Sequence, residues 1–449
     1  MTRTRIAILG GGLGAMTAAF HLTSAPDWRE RYDVTVYQLG WRLGGKGASG
    51  RNRERADRIE EHGLHLFFGF YENTFALMQR LYGELGRATD APLARWDQAW
   101  QPHSHFVLEE DVGGRLVPWE FRFPDFKSSV PGQGGELPKP WQLLQLLLGW
   151  AREQFGGSHA APAPGTVAPD RLDRIVARAA GEIHAAAARG QTVMGAVRRR
   201  VHAVVDRIAD VFDALLPSAF LHAAVHHAGR QPDDPRAHHR HDHEIILWLL
   251  RGFRDWLKRH FAERARTDTE IRRWLISLDA LIAVAVGMIA DDLITPPVDW
   301  FKIDRMCFED WLVHHGADRS SVAAPPVTLL RQLVFGDQTG VGAGTCLHYA
   351  LRMIYTYKGA FAYKMQSGMG DTVFAPLYQV LSARGVRFEF FQAVEDLTPG
   401  RDADGHPVID AIRIAVQAET HGGAPYRPLV DVGRKRISHG HRPARRCGR

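Results

Sequence analysis

Cysteine is scarce in this chain of 449 residues, where it occurs at Cys307, Cys346 and Cys447. Their wide spacing excludes a disulfide framework of the kind that stabilises small secreted domains, and it indicates no thiolate metal site. So few thiols fit a reducing compartment, and we therefore expect a cytoplasmic protein. The length allows two or three domains that bury a sizeable core.

Long hydrophobic runs are also missing. The apolar run behind Arg3 and Arg5 has four residues, Ile6 to Leu9, which is too short for a secretory signal. The most apolar stretch, residues 274–290, is interrupted by Asp279, and an acid at that depth disfavours a bilayer span. We expect a core helix there. Insertion into one membrane leaflet is the alternative, and it keeps peripheral membrane contact open.

Acidic residues are missing from residues 433–449, which contain seven Lys or Arg, whereas the net charge of the whole chain is +6. A basic tail can bind nucleic acid or anionic lipid. No nucleic-acid-binding module accompanies this charge. We therefore expect a disordered basic tail and no nucleic-acid partner.

Histidine is concentrated in one region of the chain, at His222, His226, His227, His238, His239, His241 and His243. Such spacing would permit metal binding, but the carboxylates of a known metal motif do not accompany it. The segment is also rich in proline. We predict a solvated loop and no metal site.

What is present begins at the N-terminus with a strand-like apolar run, a glycine-rich turn, a helix-forming run and a second apolar strand. This order is typical of the dinucleotide-binding βαβ unit. In the turn, Gly10 permits the tight bend and Gly12 permits close approach of a pyrophosphate. Gly14 and Ala15 open the helix, whose N-terminal N–H groups favour an anion, and Ala15 is small enough for close packing on the strand.

Two later motifs carry a resemblance to a known family. The run Arg42-Leu43-Gly44-Gly45-Lys46 resembles the R-x-G-G-[RK] signature of FAD-dependent amine oxidases and carotenoid desaturases. The run from Glu61 to Asn73, which reads EHGLHLFFGFYEN, is similar to the G-L-H-x-F-F-G-x-Y-x-N stretch of plant-type phytoene and ζ-carotene desaturases. The second match is the more specific, and it favours the desaturase branch of this superfamily.

The resemblance implies a flavoprotein with FAD as its cofactor. It places the FAD pyrophosphate on Gly10, Gly12 and Gly14, and it places Arg42, Gly44, Gly45 and Lys46 around the ribityl and phosphate region. It also brings the backbone of Gly63, Leu64 and His65 near the isoalloxazine. A strand at residues 386–394 is expected to return to the FAD domain, where the backbone at Val394 would cap the adenine.

One position departs from the family pattern. Members of the family end the second strand in glutamate, which accepts both ribose hydroxyls of the adenosine, whereas this chain has Gln38. An amide oxygen still accepts a hydrogen bond, but the charge-assisted part of the binding is lost. The amide also does not repel a 2′-phosphate. We therefore expect weaker FAD binding and leave an NADP role open.

These features predict an FAD-dependent oxidoreductase that removes two hydrogens from an apolar, isoprenoid- or carotenoid-like substrate, with quinone or oxygen as the electron acceptor. His65 is the candidate for moving a proton near the flavin, since imidazole titrates near neutral pH. The alternative role for His65 is to order its loop through a backbone hydrogen bond. The alternative functions are an amine-oxidase-type flavoenzyme and a truncated, non-catalytic binding protein.

The predicted fold is an α/β protein with an N-terminal Rossmann-like FAD-binding domain, a mixed β-sheet substrate domain and a large helical insertion. We assign residues 1–100 to the FAD region, 101–140 to a hairpin that begins the substrate domain, 141–300 to the insertion, and 301–432 to the substrate domain with its return strand. The last FAD-binding segment of the family is not recognisable before the basic tail. We therefore expect an unpaired sheet edge, exposed apolar surface and weakened FAD binding.

Overall fold

The computed structural model describes residues 3–63, 65–123, 125, 129–135, 138–156, 224–226, 228–232, 234–238, 240–336, 340–430 and 439–440. The chain forms two compact units. The first consists of Met1–Ser104, Phe123–Gly135 and Tyr357–Arg449, and the second of His105–Arg122 and Glu136–Thr356. Residues 157–223 of the predicted helical insertion lie outside the described residues, as does nearly all of the basic tail. The predicted domain divisions at 100, 140, 300 and 432 stay predictions.

The strands and helices are numbered in chain order. The strands are β1 Thr4–Leu9, β2 Tyr32–Gln38, β3 Gly50–Asn52, β4 Arg58–Glu60, β5 Phe67–Phe68, β6 Trp100–His103, β7 His105–Val112, β8 Arg115–Arg122, β9 Ala362–Met365, β10 Arg387–Phe390, β11 Gln392–Arg401, β12 Pro407–Val416, β13 Leu429–Val430 and β14 His439–Gly440. The helices are α1 Leu13–Leu22, α2 Trp28–Arg31, α3 Glu72–Leu85, α4 Trp96–Ala99, α5 Pro140–Gly156, α6 Arg240–Phe261, α7 Thr269–Ala290, α8 Phe308–His314, α9 Arg319–Val322, α10 Pro325–Phe335, α11 Ala343–Tyr355 and α12 Ala375–Arg384.

A parallel sheet in the order β1-β2-β10 organises the first unit. Ile8 of β1 and Phe388 of β10 both pair with Val36, which is fully buried at the centre of β2. The helix α1 connects β1 to β2 and contributes Met16 and Phe20 to the same core. This is the predicted βαβ unit, so that prediction is confirmed. Within the described residues β1 has a partner strand on one side, and Leu9 at its end is 39% exposed.

The strand predicted at residues 386–394 returns to the first unit, where β10 pairs with β2, but the prediction of one unbroken strand was wrong. It is divided at Phe391, whose φ of +61° lies in the left-handed region that breaks a strand. The Phe391 N–H donates to the carbonyl of Gly40 at 2.9 Å, which fixes the bend beside the end of β2. The chain therefore leaves the parallel sheet as β10 and enters a separate antiparallel hairpin of β11 and β12, where Val394 pairs with Ile414.

The second unit packs its helices around one apolar core, and it also contains the β7–β8 hairpin. This hairpin confirms the one predicted within residues 101–140, and its turn consists of Gly113 and Gly114, whose φ angles are +62° and +85°. Such values suit a tight turn between twisted strands. The large side chains Trp141, Phe253 and Trp311 are buried in the helical core.

The helix α7 is the one helix in the described part of the chain that is long and apolar enough to cross a membrane, with a mean hydropathy of 1.8 over its most apolar window. That window is 61% buried, which is the burial of a core helix. Asp279 within it is 2% exposed, and one of its oxygens accepts the backbone N–H of Asp318 at 2.7 Å. Its other oxygen lies 3.4 Å from Nζ of Lys258. Both contacts tie α7 to its neighbours.

Replacing Asp279 with alanine should lower the free energy of unfolding by about 2 kcal/mol, because it leaves the Asp318 N–H without its acceptor and removes one anion from Lys258. Lys258 is partly exposed and keeps Asp318 at 2.9 Å, so the loss is smaller than for a fully buried pair. Urea unfolding of the two chains measures this change. Asp255→Ala on the exposed side of α6 is the control, and an equal effect of both substitutions would contradict a buried role for Asp279.

Candidate functional site

The first glycine turn leaves an open cradle at the start of α1. Gly10 has a φ of +92° and donates its N–H to the carbonyl of Tyr37 at 2.7 Å, which anchors the turn to β2. A Cβ placed on Gly10, Gly12 or Gly14 would meet no described protein atom within 4 Å. The first turn of α1 has no acidic residue and no side-chain cap, and Ala15 there is half-buried. The cradle therefore fits an anion such as a pyrophosphate.

The second glycine turn closes against the first. Gly44 forms a bridge with Gly12, and its N–H donates to the carbonyl of Gly11 at 2.8 Å. Gly44 has a φ of +118°, and a Cβ there would lie 2.7 Å from Cα of Ala48, so this position requires glycine. A Cβ on Gly45 would lie 3.4 Å from Cα of Gly12. The two predicted glycine motifs thus form one surface.

Two residues of the second glycine motif carry a positive charge. Lys46 is exposed beside Gly45, and Arg42 is half-buried with its guanidinium carbon 5.2 Å from the ring centre of Trp41. A planar guanidinium and a mobile ammonium are both suitable phosphate partners. Their assignment to the cofactor stays a prediction.

The side-chain amide of Gln38 points at the first glycine turn. Its Oε1 accepts the Gly11 N–H at 2.6 Å, and its Nε2 donates to the carbonyl of Leu39. A Cβ on Gly11 would lie 2.7 Å from that Oε1 and 2.3 Å from Cδ2 of Leu43, so Gly11 is needed for this packing. Gly11 was not among the residues predicted to form the site. The ribose-binding role of Gln38 stays a prediction.

His65 is held by a carboxylate four residues before it. Its Nδ1 lies 3.1 Å from Oε2 of Glu61. The other oxygen of Glu61 accepts the hydroxyl of Ser49 and the backbone N–H of Met369, both at 2.6 Å. Burial works to raise the pKa of Glu61, but the hydrogen bonds from Ser49, Met369 and His65 outweigh it, and the pKa lies below its usual range. Glu61 is therefore a carboxylate at neutral pH.

A third loop joins this cluster to the glycine turns. The Ser49 hydroxyl accepts the N–H of Gly370 at 2.7 Å, and a Cβ on Gly47 would lie 3.1 Å from Cε of Met369. Gly368 packs equally closely, because a Cβ there would lie 2.8 Å from Oγ of Ser49. Residues 367–373, expected in the substrate domain, thus pack directly against the segment that follows the second glycine turn. Gly63 is exposed nearby in sequence, and Leu64 lies outside the described residues.

A buried ion pair fixes the same loop from β3. The guanidinium of Arg51 binds Asp371, and their side chains are 9% and 1% exposed. Arg51 also donates to the carbonyl of Asp57 at 3.0 Å, and Ser367 donates to Asp371 at 2.5 Å. Neither this pair nor the Ser49–Glu61 contact was predicted from the sequence. Glu61 could have been found from its place in the motif around His65, whereas Ser49 and Arg51 carry no comparable signal.

The other residues considered in the sequence, Val394 and the histidines, are distant in sequence from the glycine turns. Val394 is 38% exposed on β11, and its adenine-binding role stays a prediction. In the histidine-rich segment, Nδ1 of His238 lies 2.9 Å from Nε2 of His243, and Nε2 of His238 lies 2.7 Å from the carbonyl of Pro232. Burial lowers the pKa of His243. His222, His227 and His239 lie outside the described residues.

Comparison with known proteins finds similarity over part of the chain. Residues 8–81 match the family described as an NAD(P)-binding Rossmann-like domain. The ζ-carotene desaturase of Arabidopsis thaliana is 31% identical over 122 residues, which are 27% of this chain and 18% of that protein. The ζ-carotene desaturase of Synechocystis sp. is 32% identical over 119 residues, which are 26% of this chain and 20% of that protein.

The aligned part therefore spans about a fifth of the length of these relatives. The plant protein is described as chloroplastic or chromoplastic. Together with the geometry of β1, α1 and β2, the family match shows that the N-terminal region contains a Rossmann-like dinucleotide-binding domain.

Proposed function

We propose that this chain is an FAD-dependent oxidoreductase that removes two hydrogens from an apolar, isoprenoid- or carotenoid-like substrate. The observation that carries the proposal is the open glycine cradle at the start of α1, joined to a second glycine turn by the Gly12–Gly44 bridge. The similarity to ζ-carotene desaturases supports the substrate class. Their chemistry comes to this chain as part of the proposal.

The residues present fit FAD. The cradle has the open space for a pyrophosphate, and Arg42 and Lys46 follow with the positive charge that phosphates need. A bound flavin supplies a hydride acceptor. The backbone N–H groups at the start of α1 would hold the cofactor. One substrate hydrogen would leave as hydride, and His65 would accept the other as a proton.

The partners follow from the substrate. A quinone or oxygen takes the two electrons, and an apolar substrate is taken up by a cytoplasmic protein that makes peripheral membrane contact. No nucleic acid takes part. An amine-oxidase-type activity or a non-catalytic binding role are the outcomes that would replace this proposal.

The test begins with the absorption spectrum of the purified full chain before and after adding FAD. Bound flavin bands are expected. The loaded protein is then mixed with a polyene and a quinone, and reversed-phase chromatography is expected to show a product with one more double bond. Peroxide release with an amine instead of the polyene would favour the amine-oxidase type. A chain that takes up no FAD would contradict the enzymatic proposal.

Replacing Gln38 with glutamate should tighten FAD binding about tenfold, or about 1.4 kcal/mol. The amide Nε2 now donates to the Leu39 carbonyl, whereas a carboxylate has no donor and would turn its second oxygen to the ribose hydroxyls. The charge would also repel a 2′-phosphate. Titration of the apo chain with FAD and with NADPH, monitored by fluorescence, measures both effects.

The control for Gln38→Glu is Gln101→Glu, which adds the same charge at an exposed residue of β6. It should leave both affinities unchanged. Weaker FAD binding by Gln38→Glu would mean that the amide's present bonds matter more for the turn than a ribose contact does.

A further inference from the structure

We propose that Glu61 is a positioning residue that fixes the proton of His65 on Nδ1 and leaves Nε2 as the atom that accepts a proton from the substrate. The proposal rests on the proposed function for the identity of that substrate. The geometry behind it is the 3.1 Å contact between Glu61 Oε2 and His65 Nδ1.

The direction of that hydrogen bond follows from Glu61. A carboxylate has no proton to give, so a neutral His65 must donate from Nδ1. Its Nε2 is then the ring nitrogen with a free electron pair. In a neutral imidazole one nitrogen alone carries a proton, and Glu61 therefore decides which nitrogen can act as a base.

The orientation of Glu61 is fixed by the contacts of its other oxygen, the one that does not face His65. Its Oε1 accepts two hydrogen bonds, from the Ser49 hydroxyl and the Met369 N–H, both at 2.6 Å. The Ser49 hydroxyl donates its hydrogen to Glu61, and its oxygen accepts the Gly370 N–H at 2.7 Å. Two segments of the chain thus hold Oε1 of Glu61, and the segment after the second glycine turn is one of them. The position of His65 is in this way coupled to the part of the chain that would bind the cofactor.

A flavin held at the cradle of Gly10, Gly12 and Gly14 would supply the acceptor for one substrate hydrogen, which would leave its carbon as hydride. A second hydrogen leaves the neighbouring carbon as a proton, whose acceptor is Nε2 of His65. The electron pair of that second C–H bond becomes the new carbon–carbon double bond. The quinone or oxygen of the proposed function then takes up the two electrons.

The substitution Glu61→Gln keeps the contacts to Ser49 and Met369 and changes only which nitrogen of His65 carries the proton. An amide has one oxygen, and that oxygen must stay on the Ser49 and Met369 donors, because an NH₂ group there would face two donors. The NH₂ group then points at His65 Nδ1 and makes that atom the acceptor. The proton of His65 moves to Nε2, where it blocks the base. A wrong tautomer of this kind lowers turnover strongly in other enzymes, although the geometry is kept.

The first measurement uses ¹⁵N-labelled full-length protein and records the ring nitrogens of His65 by long-range ¹H–¹⁵N spectroscopy, without and with FAD. The His65→Gln spectrum identifies the signals among the 23 histidines. The wild-type ring is expected to carry its proton on Nδ1, and Glu61→Gln is expected to carry it on Nε2. A wild-type proton on Nε2 would overturn the proposal, even if Glu61→Gln failed to fold.

The second measurement is the rate of flavin reduction by the polyene in a single turnover. Glu61→Gln should slow it by between about 10²-fold and 10⁴-fold, whereas FAD affinity should stay within about twofold. Glu60→Gln is the matched control, since Glu60 is exposed and binds the side chain of Asn52 at 2.9 Å. It should leave the tautomer and the rate unchanged.

The two readouts distinguish failure of this inference from failure of the proposed function. A chain that shows the expected tautomers but oxidises no polyene supports the Glu61–His65 geometry and contradicts the desaturase activity. An unchanged reduction rate with a switched tautomer would overturn the role of His65 as the proton acceptor.

Discussion

Replacing Gly12 with valine should abolish FAD binding and leave the apo protein folded. A Cβ on Gly12 would meet no described protein atom within 4 Å, so the valine side chain would fill space that only a ligand needs. Gly12 has φ of −75° and ψ of 174°, an extended conformation that valine readily adopts. We expect affinity to fall by at least about a hundredfold, or about 3 kcal/mol.

Equilibrium titration with FAD measures the loss for Gly12→Val, and circular dichroism with thermal unfolding checks the fold. Gly83→Ala is a suitable control, because Gly83 is an exposed glycine within α3 whose added Cβ would also meet nothing within 4 Å. It should bind FAD as the wild-type chain does. Retained FAD affinity in a folded Gly12→Val protein would show that the cofactor does not use this cradle.

The nucleotide-binding unit could be predicted because its signals are local. Short apolar runs predicted β1 and β2, and the glycines between them stand next to the elements that they connect. The same holds for the hairpin around Gly113 and Gly114. In each case the residues that carry the signal lie within a few positions of one another, where a sequence pattern can show it.

The conformation at the end of the second strand could not be predicted from neighbouring residues. The residue type at Gln38 indicated a change in ribose binding, but its amide oxygen accepts the Gly11 N–H, 27 residues away in the chain. Likewise, the apolar run around Phe391 does not indicate the positive φ of this residue. That φ accompanies the hydrogen bond from the Phe391 N–H to the Gly40 carbonyl. A tertiary contact decides both conformations, and the sequence pattern does not contain it.

The candidate site was predicted in part for the same reason. The motif around His65 indicated the residue, whereas its environment comes from contacts that span most of the chain. Ser49 and Gly370 are 321 positions apart. Such a contact becomes predictable only when the return of the chain to the first unit is known, and that return depends on the packing of residues 357–391 as a whole.

Replacing Arg51 with methionine should destabilise the protein by about 4 kcal/mol, the second large effect that the structure implies. Methionine preserves most of the apolar volume of the arginine stem but leaves the carboxylate of Asp371, 1% exposed, without its cation. Removing one partner of a buried ion pair typically lowers stability by about 3–5 kcal/mol, because a desolvated charge remains. Urea unfolding followed by tryptophan fluorescence measures the change.

The control is Arg58→Met in the paired strand β4, where the side chain is exposed and the expected change is below about 0.5 kcal/mol. The double variant Arg51→Met with Asp371→Leu should recover at least half of the loss, since no uncompensated charge remains. Equal stabilities of Arg51→Met and Arg58→Met would mean that the ion pair does not hold residues 367–373 in place. In that case the backbone N–H groups of Met369 and Gly370 would depend on Glu61 and Ser49 alone for their position.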